Sequence, residues 1–344
     1  MAIVIVGGGA IGLLVLSRLA QAANIPPVAL LTRPKGVEAL RAHPLSVGGV
    51  GACTLTDLTV AGSVAELPSA FHRPALAIVC VKGYDTAGAI PSLQALNPAA
   101  ILTLQNGIGH EETLAAAFGA DRIISGAITT SVDATGPTTI TVTKAGGIGL
   151  APVGAASDLV LAETALSAAG FIVRRYPDYR AMKWSKALLN MLGNATAAIL
   201  DWPVTKVYAD RRLIALERAA VREALAVMEA LRIKPVNLPR YPAALLAFGV
   251  RRIPPVVLDP ILRQRVAGGR GGKDPSLLRD LRAGRSRSEG EFLYGAVAAT
   301  AQAHGLAAPV NAGLWRILGG IARGELAWDT YRGQPERLLA ECRH

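Results

Sequence analysis

The stretch that most constrains the fold lies at the start of the chain. Five apolar residues, Ala2 to Val6, run straight into Gly7-Gly8-Gly9-Ala10-Ile11-Gly12, and the apolar helical run Ile11 to Ala23 follows. A second β-rich run, Val28 to Thr32, comes next. A glycine turn alone says little. Between a strand and a helix, with another strand beyond, G-x-G-x-x-G reads as the first βαβ unit of a dinucleotide-binding sheet. Gly7 permits the tight turn, Gly9 lets a pyrophosphate approach the backbone, and Gly12 lets the helix pack on the strand. Gly8, Ala10 and Ile11 supply the remaining turn and the first N–H groups of the helix, which attract an anion.

The end of the second strand indicates which nucleotide is bound. An acidic residue there would take the 2′-hydroxyl of NAD, but this chain has Thr32 and Arg33, with Lys35 beyond. A planar guanidinium suits a 2′-phosphate, so NADPH (NADP+) is the expected cofactor. Further unalternated apolar strands follow at Leu76–Val81, Ala100–Gln105 and Ile123–Val132, then shorter ones near 139–142, 147–150 and 172–174. Such strands imply a parallel sheet covered on both faces. Lys82 and Asn106 stand at the carboxyl ends of two of them, the edge where α/β sheets bind ligands.

From Met182 onward the pattern is helical, with long segments at 183–200, 210–232 and 288–304. The expected fold is therefore α/β, an N-terminal Rossmann-type parallel sheet with a C-terminal all-helical domain. The boundaries fall at 1–178 for nucleotide binding, 179–330 for the helical substrate domain and 331–344 for a C-terminal tail. Within the segment Lys183–Leu200, apolar positions run most of the way round, yet Lys186, Asn190 and Asn194 recur at steps of four. That spacing keeps them on one slowly drifting face. Buried carboxamides without partners cost about 1–3 kcal/mol each, so this face must meet something polar, either a solvated seam or a substrate.

The 344 residues suffice for two domains, and three scattered cysteines with five scattered histidines give neither a disulfide framework nor a metal-ligand spacing. The uncharged first 17 residues lack a basic leader and carry three glycines, so no membrane span or signal peptide is expected and a cytoplasmic location suits the chain. The formal charge of +11 concentrates in residues 251–287, including Arg263, Arg265, Arg270, Lys273, Arg279, Arg282 and Arg285. Without interleaved aromatics this stretch reads as a face drawing in small anions rather than as a nucleic-acid surface. A homodimer through the apolar helices is left open.

The combination of the glycine turn, "VKGYDT", "LQNGIG" and "KWSKALLNMLGNATAAI" resembles the ketopantoate reductase (2-dehydropantoate 2-reductase) family, and "GRGGKDPSLLRDLRAGRSRSEGEFLYG" is similar to its second signature. The resemblance extends from the first strand to about residue 325. It implies NADPH-dependent reduction of 2-dehydropantoate to pantoate, a small anionic 2-oxo acid, in pantothenate and CoA biosynthesis. It also implies roles by motif. Lys186 matches the catalytic lysine of W-x-K-x-x-x-N, and Glu289 the glutamate on the substrate hydroxyl side. Asn190 and Asn194 match substrate-lining asparagines, and Ser276 the serine that binds the carboxylate. Lys82 and Asn106 match positions contacting nicotinamide, ribose and substrate, and Arg33 the arginine for the 2′-phosphate.

The chain departs from the family pattern near Glu289, where Gly290, Glu291 and Tyr294-Gly295 replace an apolar residue, an Asp and an Asn-Gly pair, and at Val204, where some members carry an asparagine. Two alternatives stand beside the main reading. One is NADPH-dependent reduction of another 2-oxo or 3-hydroxy acid on the same scaffold. The other is a non-catalytic NADPH-binding regulator with a basic nucleic-acid-binding face.

Overall fold

The computed structural model describes residues 1–268 and 274–342. Contacts divide the chain into two units, Met1–Lys183 with Leu238–Tyr241, and Trp184–Asn237 with Pro242–His344.

The first unit begins with β1 (Ile3–Val6), α1 (Ala10–Leu19), β2 (Val28–Leu31), α2 (Pro34–Ala42), β3 (Leu45–Gly49), β4 (Cys53–Leu55) and β5 (Thr59–Ala61). It continues with β6 (Leu76–Val79), α3 (Thr86–Leu96), β7 (Ala100–Thr103), α4 (His110–Phe118), β8 (Ile123–Ile128), β9 (Ser131–Ala134) and β10 (Thr139–Lys144). β11 (Gly147–Pro152), α5 (Val160–Ala168), β12 (Ile172–Arg175) and the start of α6 (Tyr179–Met191) complete it. The main sheet has the order β12-β11-β8-β7-β6-β1-β2-β5. Its run from β5 to β8 is parallel and reproduces the 3-2-1-4-5-6 order of a dinucleotide fold, with the change of direction beside β1.

Residues of β1 alternate between two cores. Ile3 and Ile5 pack with Leu13, Leu16 and Leu166 of α1 and α5, whereas Val4 and Val6 pack with Leu93 and Leu114 of α3 and α4. Burial on both faces is what the unalternated apolar runs required. The parallel order ends at β11, which pairs antiparallel with β8.

A second sheet, β4-β3-β10-β9, was not expected from the sequence, and it takes the end of the predicted strand 123–132. Chain direction changes after β8, where Thr129 Oγ1 donates to the Pro239 carbonyl at 2.8 Å. A side chain at Gly147 would meet Pro239 Cβ at 2.7 Å, so glycine there lets the segment Leu238–Tyr241 lie against this unit.

The second unit carries the rest of α6, then α7 (Ala195–Leu200), α8 (Val204–Val207), α9 (Arg211–Ala230), α10 (Ala243–Arg252), α11 (Pro255–Leu262), α12 (Ser276–Arg282), α13 (Tyr294–Ala303), α14 (Pro309–Arg323) and α15 (Pro335–Glu341). α9 is its central element. Asp210 caps it by accepting from Arg212 N at 2.8 Å, and Leu213, Leu216, Ala220, Ala224 and Met228 form a buried stripe. α10, α13, α14 and α15 pack around this helix. Residues 331–344, expected as a tail, are packed into the unit as far as they are described. Tyr331, Leu338 and Cys342 are buried, and Gly333 N–H bonds the Leu200 carbonyl at 3.0 Å. Among the described residues no helix is long and apolar enough to cross a membrane.

Candidate active site

Strand register aligns the nucleotide-side residues in the first unit. Val6 pairs with Leu31 and Val79, and Val79 with Thr103, so Gly7, Thr32, Cys80 and Leu104 end four neighbouring strands together. Gly7 has φ +113, and a Cβ there would strike Val81 N at 2.7 Å. At Gly12 an added Cβ would lie 1.8 Å from the Gly7 carbonyl oxygen. Gly9, by contrast, faces open space, and no side chain caps the α1 N-terminus that it begins. The first N–H groups of α1 therefore have no acceptor within the helix. A tight turn with an open cradle fits a pyrophosphate. Exposed Arg33 stands two residues beyond β2, at the N-cap position of α2.

Lys82 and Asn106, both half-buried, begin the loops after β6 and β7, and Gln105 ties these loops together. Its Nε2 donates to the carbonyls of Val81 at 3.2 Å and Lys82 at 3.4 Å, and to Thr86 Oγ1 at 2.8 Å. Beneath lies a buried ion pair. Lys183 Nζ stands 3.0 Å from Glu111 Oε1 and donates to the Gln105 carbonyl at 2.6 Å, with side-chain exposures of 4% and 1% for lysine and glutamate. Ser125 Oγ donates to the same Glu111 oxygen at 2.7 Å. His110 Nε2 lies 2.9 Å from the Asn106 carbonyl. Burial, then the Lys183 charge, push the His110 imidazole down to about 4, so it is neutral and donates through Nε2. The sequence reading assigned no role to Gln105, His110, Glu111 or Lys183. The one local signal was a second lysine, Lys183, on a largely buried helix.

In the second unit the helix predicted over 183–200 is broken, which corrects the continuous file of Lys186, Asn190 and Asn194. Lys186 and Asn190 lie on α6, whereas Asn194 stands at the start of α7. Gly193 makes the break with φ +61, and a Cβ there would strike Val204 Cγ1 at 2.8 Å. Backbone groups released at the break are taken up by two buried side chains. Tyr294 Oη donates to the Met191 carbonyl at 2.5 Å and accepts from Ala195 N at 3.0 Å. Glu217 accepts from Gly193 N at 2.8 Å and from Thr196 Oγ1. Asn194 Nδ2 donates to the Asn190 carbonyl at 3.1 Å, and its Oδ1 accepts from Leu277 N at 3.3 Å. That last bond joins the break to the first turn of α12, where half-buried Ser276 is the first residue. Lys186 is buried, at 9% exposure, and Asn190 is half-buried.

Glu289 is half-buried and opens a 3₁₀ turn, Glu289–Phe292, whereas Glu291 is exposed. The neighbouring departures from the family pattern have packing causes. Leu318 and Trp315 of α14 occupy the space that a side chain at Gly290 would need, and the Trp315 ring also covers Gly295. Tyr294 supplies the two bonds at the helix break.

Much of the basic stretch is neutralised locally. Arg251 pairs with Glu229, Arg282 with Asp201 and Asp274, and Arg285 with Asp280, while Arg263 Nε donates to the Tyr208 carbonyl. Arg270 and Lys273 lie outside the described residues. No group of acidic, histidine or cysteine residues able to hold a metal occurs among the described residues.

Residues 3–154 match the family model described as ketopantoate reductase PanE/ApbA, and residues 178–322 match its C-terminal counterpart. The 2-dehydropantoate 2-reductase of Halobacterium salinarum is 30% identical over 254 residues, covering 72% of this chain and 76% of its own length. That of Pyrococcus horikoshii is 28% identical over 323 residues, covering 92% and 96%. A solved PanE/ApbA family ketopantoate reductase from Ralstonia eutropha matches with a TM-score of 0.77 at 24% identity, over 94% of this chain and 99% of its own. D-Mandelate dehydrogenase, solved with NADH and anilino(oxo)acetate, shares the fold with a TM-score of 0.78 at 19% identity, over 94% and 99%. Two family models that together span most of the chain, on a sheet with an open glycine cradle, establish that this protein belongs to the ketopantoate reductase family of nicotinamide-dependent oxidoreductases.

Proposed function

We propose that this protein reduces 2-dehydropantoate to pantoate with NADPH. The observation that carries the reading is the buried Lys186 on the same helix as Asn190, in a chain whose β1 turn is built for a dinucleotide. When bound, the reduced nicotinamide supplies a hydride to the carbonyl carbon of the 2-oxo acid. Lys186 gives its proton to the oxygen as negative charge develops there, acting as general acid. Asn190 hydrogen-bonds the substrate, and Asn194 holds the α12 turn that presents Ser276 to the carboxylate. Glu289, the half-buried carboxylate of its turn, takes the hydroxyl side. Arg33, with no acid beside it at the end of β2, supports NADPH over NADH.

The test follows NADPH oxidation with 2-dehydropantoate, with NADH and a set of unbranched 2-oxo acids in parallel. Preference for 2-dehydropantoate and NADPH is the expected result. Faster turnover of an unbranched acid would reassign the substrate, and NADH preference would overturn the role of Arg33.

A further inference from the structure

We propose that Lys183 and Glu111 are positioning residues for the reductase, their buried ion pair setting the Gln105–Asn106 peptide and through it the Asn106 side chain at the end of β7. The loop has little stiffness of its own, since Gly107 and Gly109 after Asn106 have φ +98 and +103. Its orientation must be imposed by contacts, and two come from below. Lys183 Nζ donates to the Gln105 carbonyl at 2.6 Å, and the neutral His110 ring donates to the Asn106 carbonyl at 2.9 Å. Consecutive carbonyls are thus held by groups from α6 and α4. Glu111 holds Lys183 in place and is itself held by Ser125 Oγ at 2.7 Å.

Stability alone does not explain the pair. Desolvating two charges is costly, and apolar residues of similar volume generally serve a core as well or better. A charge pair adds a strong donor aimed at one carbonyl, here on the ligand-binding edge of a dinucleotide sheet. The Gln105 side chain extends the same support to the Lys82 loop. Only the kinetic readout depends on the reductase reading. The positioning role itself is read from the loop.

The experiment compares the full-length protein with Lys183→Met, Glu111→Gln and the double variant Lys183→Met/Glu111→Leu. Each single change leaves one buried group unpaired and is expected to lower the melting temperature, and the double change is expected to recover it. Two further readouts separate positioning from stability. Hydrogen exchange across residues 105–109 should be faster in the double variant, with the rest of the first unit unchanged. Turnover of whichever 2-oxo acid the wild type reduces should fall on the order of 10²-fold, as for a displaced site residue, while 2′,5′-ADP binds as before. Lys183→Arg, which retains charge and donors, should recover part of the loss.

A double variant that melts normally and has wild-type exchange or wild-type kcat overturns the proposal. If the double variant does not fold, Glu111→Gln decides on the same exchange and kcat criteria. Failure of the wild type to reduce 2-dehydropantoate counts against the proposed substrate only, because the exchange measurement needs none.

Discussion

The side-chain oxygen of Asn194 accepts the backbone N–H of Leu277 at 3.3 Å, across 83 positions of sequence. With Nδ2 donating to the Asn190 carbonyl, both ends of the carboxamide are engaged within the protein. Asn194→Ala should therefore cost about 1–3 kcal/mol in stability by leaving a buried N–H unpaired. It should also raise KM for the 2-oxo acid more than it lowers kcat, because the α12 turn carrying Ser276 loses its tie. Urea unfolding and steady-state kinetics test both. A variant with normal KM would remove Asn194 from substrate positioning.

Tyr294 closes the break between α6 and α7 with two hydrogen bonds from one hydroxyl. Tyr294→Phe keeps the ring and strands the Met191 carbonyl and the Ala195 N–H. A loss of about 1–3 kcal/mol is expected, larger than for an exposed tyrosine. The Met191–Ala195 segment should also exchange its amides faster. Unaltered exchange there would mean that Glu217 alone holds the break.

Legibility in the sequence followed the range of the forces. The glycine turn was readable because strand, turn and helix impose their constraints within one short segment. The placement of Lys186 and Asn190 on one helix was readable from helical period alone. The break at Gly193 was not, since a single glycine is compatible with either a continuous or an interrupted helix. What decides it is Glu217 and Tyr294, distant in sequence, together with Val204 packed where a Cβ would go. Strands β4 and β5 span three residues each, too short for a periodic signal, and β3 pairs with a partner far along the chain. The Lys183–Glu111 pair was hidden for the same reason, as each residue alone is an ordinary charged helix position. Glu289 and Ser276 were singled out only through family motifs, because nothing in their spacing marks them, whereas Arg33 was singled out by its place after the second strand.

Lys186→Ala should separate chemistry from binding. Loss of the general acid is expected to lower kcat about 10²- to 10⁴-fold, with the dissociation constant for NADPH essentially unchanged. Stopped-flow hydride transfer and equilibrium cofactor titration give the two numbers independently. Near-normal turnover would remove Lys186 from the mechanism.

Arg33 offers a cleaner test of cofactor choice because it is exposed and its replacement disturbs no core packing. Arg33→Ala should weaken NADPH about tenfold, the equivalent of some 1.4 kcal/mol for one charge-assisted contact, and leave NADH binding unaltered. Equal weakening of both nucleotides would place the arginine's effect on the shared pyrophosphate or adenosine rather than the 2′-phosphate.

His110 makes a prediction in pH. In the folded protein its imidazole falls from 6.5 to about 4, chiefly by burial and next by the Lys183 charge, against the opposing pull of Glu111 and the Asn106 carbonyl. Between those two values the unfolded chain binds more protons than the folded one, so stability rises with pH. The contribution is complete above about 6.5 and is lost as pH falls toward 4, a change on the order of 3 kcal/mol for this group. Urea midpoints measured from pH 7.5 to 4.5 should fall on the acid side for the wild type. His110→Gln, which keeps a neutral donor for the Asn106 carbonyl, should flatten that fall. Parallel curves for the two proteins would assign acid sensitivity to the buried carboxylates and leave the imidazole without a part in it.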